Sequence, residues 1–286
     1  MGNSLLISLF LFVSAITTTE TQLLFDTQQS CPAPDSTLNY RPVIGIVSHP
    51  GDGATGRLSN ATNVSYIAAS YVKFAEMAGA TVIPLLYTEP SQILNQDNNI
   101  LEEFSAASQA STVQLVENVN IEGTVFGRFP PVLLKKMGTD CLVMQNHHFG
   151  ISPERFQANR HLSSFFRVLT TSTDENNKVY VSTVQAKRYP ITAFQWHPEK
   201  NVFEWGSSRI PHTEDAIQVT THVANYFISE ARKSSNKPVA REVLDKLIYN
   251  YNPTYGGKAG KGYDEVYLFT PHSALEFSVE KKEQCN

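Results

Sequence analysis

Residues 42–56, Pro-Val-Ile-Gly-Ile-Val-Ser-His-Pro-Gly-Asp-Gly-Ala-Thr-Gly, join a short β-branched run to a glycine-rich turn. The run from Val43 to Val47 has the composition of a strand, and the turn after it is of the kind that lets backbone approach a ligand. Arg57 and Gly53 in this loop suit a substrate carboxylate, and equally a solvated surface turn. Farther on, Ile67, Tyr71, Phe74 and Ala78 recur at helical spacing, with Ser65 as a cap and Gly79 as a stop. This spacing predicts a helix over 65–79. Thr81-Val-Ile-Pro-Leu-Leu-Tyr87 predicts the next strand. Strand, helix, strand is a βαβ unit, and its apolar runs predict an α/β fold built on a parallel sheet covered on both faces.

The rhythm stops after Glu89-Pro90. Residues 91–109 are rich in Asn, Gln, Glu and Ser and contain no strand-like run. The second half reads mostly as strands, at 111–115, 139–144, 166–171, 179–183 and 191–196. A helix is expected over Glu214 to Lys233, with Ile217, His222, Ala224, Tyr226 and Phe227 among its buried positions. A polar linker at 234–238, a short helix at 241–249 and a Gly/Lys/Tyr-rich tail follow.

The chain has 286 residues, 41% hydrophobic and 17% charged, which suits one large globular domain. A net charge of -4 and no long Lys/Arg block argue against a nucleic-acid partner. The apolar run Leu5 to Ile16, followed by Thr17-Thr-Thr-Glu-Thr21, fits a secretory signal over residues 1–20 and is too short to span a bilayer, so no membrane partner is expected. Secretion gives meaning to two overlapping glycosylation sequons, Asn60-Ala-Thr62 and Asn63-Val-Ser65. The three cysteines, Cys31, Cys141 and Cys285, form no legible disulfide framework. Residues 270–286 are charged enough to read as a disordered tail.

The chemistry concentrates in Phe194-Gln-Trp-His-Pro-Glu-Lys-Asn201. A histidine at the end of a strand with a carboxylate two residues on is how a thiol nucleophile is activated and its base oriented. Trp196, Phe203 and Trp205 beside it read as core or pocket wall.

Four stretches, beginning RPVIGIVSHPGDGATG (41–56), QNHHFGISPERFQAN (145–159), YPITAFQWHPEKNVFEWGSS (189–208) and YNPTYGGKAGKGYDEVYLF (251–269), closely resemble plant γ-glutamyl hydrolases. The resemblance covers nearly all of 31–269, read as one domain. It implies a class I glutamine amidotransferase-like (flavodoxin-like) α/β sheet with helices on both faces and a cysteine nucleophile on a strand-to-helix elbow. It also implies folate polyglutamates as substrate, no cofactor and no metal, a vacuolar or extracellular destination, and room for a homodimer. Residue by residue, the resemblance makes His197 the general base and acid, Glu199 the group that orients it, and His147 a substrate contact, with adjacent His148 the lesser choice.

The G-x-C-x-G elbow of that family is not in this sequence. The strand at 81–87 runs almost directly into Ala107-Ser-Gln-Ala-Ser111 through residues 90–106, a joint that omits at least a βαβ-sized block of about 30 residues. By the logic of doubly wound sheets the omitted strands are central ones, beside which a ligand sits. Cys141, in Thr-Asp-Cys-Leu-Val-Met, has no flanking glycines and reads as a small buried strand residue. The expectation is a family member without turnover, with a folate-binding or decoy protein, or a defective splice or gene-model product, as alternatives.

Overall fold

The computed structural model describes residues 33–50, 64–86, 100–256 and 263–270. The signal-like segment, Gly53, Arg57, both sequons, Cys31, Cys285 and the tail lie outside the described residues. The fold class is mixed α/β.

The first unit forms much as its composition predicts. Strand β1 (Val43–Val47) runs parallel to β4 (Thr81–Leu85), Val43 opposite Thr81 and Val47 opposite Leu85. Between them lie β2 (His49–Pro50), β3 (Ser65–Ala68) and helix α1 (Ala69–Met77). The helix predicted from Ser65 thus begins four residues later. Ser65–Ala68 is drawn into a strand because it pairs antiparallel with β12 (Glu265–Phe269), which also pairs with β11 (Pro253–Tyr255), and with β2. A partner almost two hundred residues away overrides the local helical spacing.

The polar stretch expected to hold no strand contains the longest one, β5 (Glu102–Ser111). It pairs antiparallel with β7 (Val143–Gly150), with register breaks between Glu103 and Ala106 and between Ala106 and Gln109. Ser108, at φ 52°, sits in the second irregularity. With Phe104 and Ala106 its main buried apolar side chains, β5 has too weak an alternation to be read as a strand. The strand expected over 139–144 is displaced to β7, because Leu142 and Val143 enter the core only after the turn that closes helix α2 (Pro131–Met137).

A third sheet runs β10 (Thr192–Phe194), β9 (Val179–Ala186), β8 (Phe166–Thr173), β6 (Gln114–Leu115), all antiparallel. Short helices α3 (Pro153–Ala158) and α4 (Arg160–Phe165) lead into β8, and α5 (Lys200–Phe203) follows β10. Among the described residues the strands therefore group as four separate sheets, two of them the pairs β1–β4 and β5–β7. The cover expected on both sides of β1 is incomplete: Val47 is 61% exposed.

Helix α6 (Glu214–Arg232) links the two main cores. Thr213 caps it by accepting from the Ala216 N–H at 3.2 Å, acidic residues fill its first turn, and Arg232 near its end donates to the Ala78 carbonyl at 2.9 Å. Ala216, Val219, Val223 and Tyr226 pack around Trp196, while Ala224 and Ile228 pack with Ile67, Val72 and Val82. Ala224 and Tyr226 are buried as expected, but Ile217 and Phe227 are exposed, since the buried stripe falls on the intervening positions. The linker gives way to α7 (Ala240–Asp245). Among the described residues no helix is long and apolar enough to cross a membrane.

Candidate active site

The segment after β10 is held from three sides. Trp196 Nε1 donates to Thr183 Oγ1 on β9 at 3.0 Å. The His197 N–H donates to the Met144 carbonyl on β7 at 2.9 Å, and Thr220 of α6 donates to the Pro198 carbonyl at 2.6 Å. Asn201, fully buried, donates to the carbonyls of both Leu142 and Ala216. A short loop with this many external bonds cannot drift, so the side chains it carries are preorganised.

Those side chains are His197 and Glu199. His197 Nδ1 lies 2.8 Å from Glu199 Oε1, the imidazole side chain 19% exposed and the carboxylate 1%. An Nδ1–H donated to a buried carboxylate fixes the tautomer that leaves Nε2 with its lone pair outward, ready to accept a proton. Burial pushes the Glu199 carboxyl up, but His197, a backbone hydrogen bond and the Lys200 charge together outweigh it and hold the group below the usual carboxylate range.

Two tyrosines complete the surroundings. Tyr71 of α1 reaches His197 Nδ1 at 3.4 Å, and burial first, then the Glu199 charge and Tyr263, raise its phenol well above its ordinary range. Tyr263 is raised for the same leading cause and lies under the Lys200 ammonium, 4.5 Å from its ring centre. The Tyr263 backbone is positioned by its neighbour Asp264, whose N–H donates to buried Glu204 at 2.7 Å and whose carboxylate accepts the Trp205 N–H. Tyr71 is legible in the sequence only as a helix position and Tyr263 only as part of a tail. No local signal marks either, because Tyr71 meets His197 from 126 residues before it, and Tyr263 meets Tyr71 from 192 residues farther along the chain.

His147 sits on β7. Its Nδ1–H donates to the Phe149 carbonyl at 3.0 Å, its ring stands edge-on to Tyr180 at 4.8 Å, and Nε2 is buried without a partner. Burial first, then the nearby charges of His197 and His148, bring its pKa to about 4. It is therefore neutral at pH 7, and within electrostatic reach of the pair. His148 is exposed. Because the folded value lies below the ordinary 6.5, stability from His147 is complete above pH 6.5 and is lost as pH falls towards 4. Urea midpoints measured from pH 7 to 4 should fall less steeply in His147→Phe than in the unaltered chain.

Cys141 is exposed, in the turn between α2 and β7, and does not line the cleft beside His197; its placement as a buried strand residue does not hold. Trp196 is core, at 2% exposure, but Trp205 is 69% exposed and stacks on His212 at 3.9 Å. Among the described residues no cluster of His, Cys, Asp and Glu could hold a metal ion.

The cleft holds about 740 Å³ and is bounded by Ile44 to Val47, Tyr71 and Phe74 of α1, Pro190 to Thr192, Phe194 to Glu199, and Val223, Tyr226, Phe227, Glu230 and Ala231 of α6. No family model matches the chain. It is 54% identical to "Gamma-glutamyl hydrolase 2" of Arabidopsis thaliana, over 88% of this chain and 90% of that one. It is 45% identical to "Gamma-glutamyl hydrolase" of Glycine max, over 94% and 100%.

The chain belongs to the γ-glutamyl hydrolase family. The likeness extends to animals, with 30% identity to the Bos taurus γ-glutamyl hydrolase over 83% of this chain. The Arabidopsis alignment runs over 312 positions, whereas this chain has 286 residues. That γ-glutamyl hydrolase thus carries internal residues without a counterpart here. A solved structure from Thermoplasma acidophilum, described as a GMP synthase subunit, overlaps with a TM-score of 0.25 at 15% identity, covering 58% of this chain and 68% of that one, too little to carry an argument.

Proposed function

We propose that this chain retains the acid–base half of a γ-glutamyl hydrolase site, takes the γ-linked glutamate chain of a folate polyglutamate, and turns it over very slowly because its sequence lacks the G-x-C-x-G elbow. The observation that carries the reading is the 2.8 Å pair of His197 and buried Glu199 on a loop anchored from three elements. With a thiol present, His197 Nε2 would take its proton and later give one to the leaving amine, while Glu199 holds the ring and balances the imidazolium. Neutral His147, its Nε2 an acceptor, suits an N–H of the substrate. Gly53 and Arg57 are the proposed carboxylate contacts.

The test is release of glutamate from a pteroyl-polyglutamate by the purified chain, beside His197→Ala and Cys141→Ser. Turnover abolished by both substitutions would make Cys141 the nucleophile and overturn the reading. Entry into the secretory pathway, to vacuole or cell exterior, is supported by the Leu5 to Ile16 run and the two sequons. A mobility shift on endoglycosidase treatment of the plant-expressed chain checks it.

A further inference from the structure

Tyr263 reaches the surroundings of His197 and Glu199 from just before β12, and two sets of bonds fix it there. In the first, Glu204 and Asp264 exchange hydrogen bonds: the Asp264 N–H donates to buried Glu204 Oε2 at 2.7 Å, and the Trp205 N–H donates to Asp264 Oδ2. Each segment gives one backbone donor and one carboxylate, a charge-assisted contact at two points that fixes register as well as distance. The approach depends on Gly206, since a Cβ there would stand 2.9 Å from Asp264 Oδ1. In the second, the Gly256 N–H donates to the Asp264 carbonyl at 2.6 Å, and a Cβ at Gly256 would meet the Tyr263 carbonyl oxygen at 2.6 Å.

Held in this way, the Tyr263 ring lies 6.5 Å from that of Tyr71, centre to centre, and 4.5 Å from the Lys200 ammonium. Tyr71 in turn reaches His197 Nδ1 at 3.4 Å. With the Nδ1 proton donated to Glu199, the Tyr71 oxygen can only accept from Nδ1, and its own proton is left for Glu199 or Tyr263, both within reach. The second oxygen of Glu199, Oε2, is buried without a full hydrogen bond among the described residues. Water admitted to such an oxygen would bond it and compete with His197 for the carboxylate. Tyr71 and Tyr263 lie close enough for the Glu199 charge to raise both phenols, so they belong to its cover.

We propose that Tyr263 is a positioning residue for the acid–base pair: placed by the clasp of Glu204 and Asp264, it holds Tyr71 against His197 and keeps water from the Glu199 carboxylate. The proposal rests on reading His197 and Glu199 as that pair but not on turnover, so hydrolysis and this role can fail separately.

The test is proton magnetic resonance of the purified full chain, with circular dichroism and urea unfolding of each variant. An imidazole Nδ1–H donated to a carboxylate shut off from water gives a slowly exchanging signal far downfield, assigned to His197 by its loss in His197→Gln. The unaltered chain should show it. In Tyr263→Ala and Asp264→Ala its exchange with solvent should quicken by about tenfold or more, the effect of losing a hydrogen bond to a charged group. Tyr263→Phe, which keeps the ring, and Asp264→Asn, which keeps an acceptor for the Trp205 N–H, should restore most of the protection. Gly206→Ala, one methyl on an exposed turn, should act as Asp264→Ala does, and it decides the matter should the other alanine variants not fold. A role in folding alone would lower the urea midpoints and leave the signal unchanged, which overturns the proposal. So does an unaltered chain without the signal, because the pair is then open to water.

Discussion

Glutamate release from a pteroyl-polyglutamate by this chain is expected to run on the order of a million-fold more slowly than by a relative with an intact cysteine elbow. That is the loss found when the nucleophile is removed from a hydrolytic triad whose binding groups remain. The reason lies in the division of labour at the site. His197, oriented by Glu199, can only move protons, and water is a far poorer nucleophile than a thiolate for the carbonyl it would attack. Because triad members act as a unit, His197→Ala should then cost little more, and Cys141→Ser nothing. Rates near those of the Arabidopsis γ-glutamyl hydrolases would refute this, and a large loss in both variants would identify the thiol.

Trp196→Ala is expected to cost about 3–5 kcal/mol of folding stability. Trp196 is 2% exposed, packs edge-on against Phe194 at 5.1 Å, and lies among Val113, Phe126, Leu169 and Val219, contributed by several elements. Truncation leaves a cavity in a core that the separate sheets give little means to close. It also frees the residue next to His197, so the geometry of the pair should loosen with the core. Trp196→Phe keeps most of the volume and forfeits the bond to Thr183, about 1 kcal/mol. Guanidinium unfolding followed by far-ultraviolet circular dichroism measures both. A loss below about 1 kcal/mol for the alanine variant would mean that this core is not the one holding the fold together. The chain has two tryptophans, so the exposed Trp205 remains in either variant as a surface reporter.

Legibility in the sequence follows the range of the interactions. The parallel pair β1–β4, strands β8 and β9, and helix α6 are readable because their apolar spacing, caps and stops lie within the segments themselves. His197 and Glu199 are readable for a similar reason, being two residues apart, although only the folded loop shows the carboxylate buried and the ring bonded to it. Strand β3 reads locally as helix and β12 as tail, because their pairing with each other joins segments about two hundred residues apart. Strand β5 is invisible to spacing because its polar composition carries almost no alternation, and β7 supplies what holds it.

Local composition and spacing are thus sufficient for the α/β class, the principal helix and the acid–base pair, since these depend on neighbours in the chain. The grouping of the described strands into four sheets, the approach of Tyr71 and Tyr263 to Glu199, and the cleft that residues of β1, β10 and α6 line together depend on which distant segments meet. Hydrogen-bond pairing and burial between such segments are properties of the assembled fold, and no window along the sequence contains both partners.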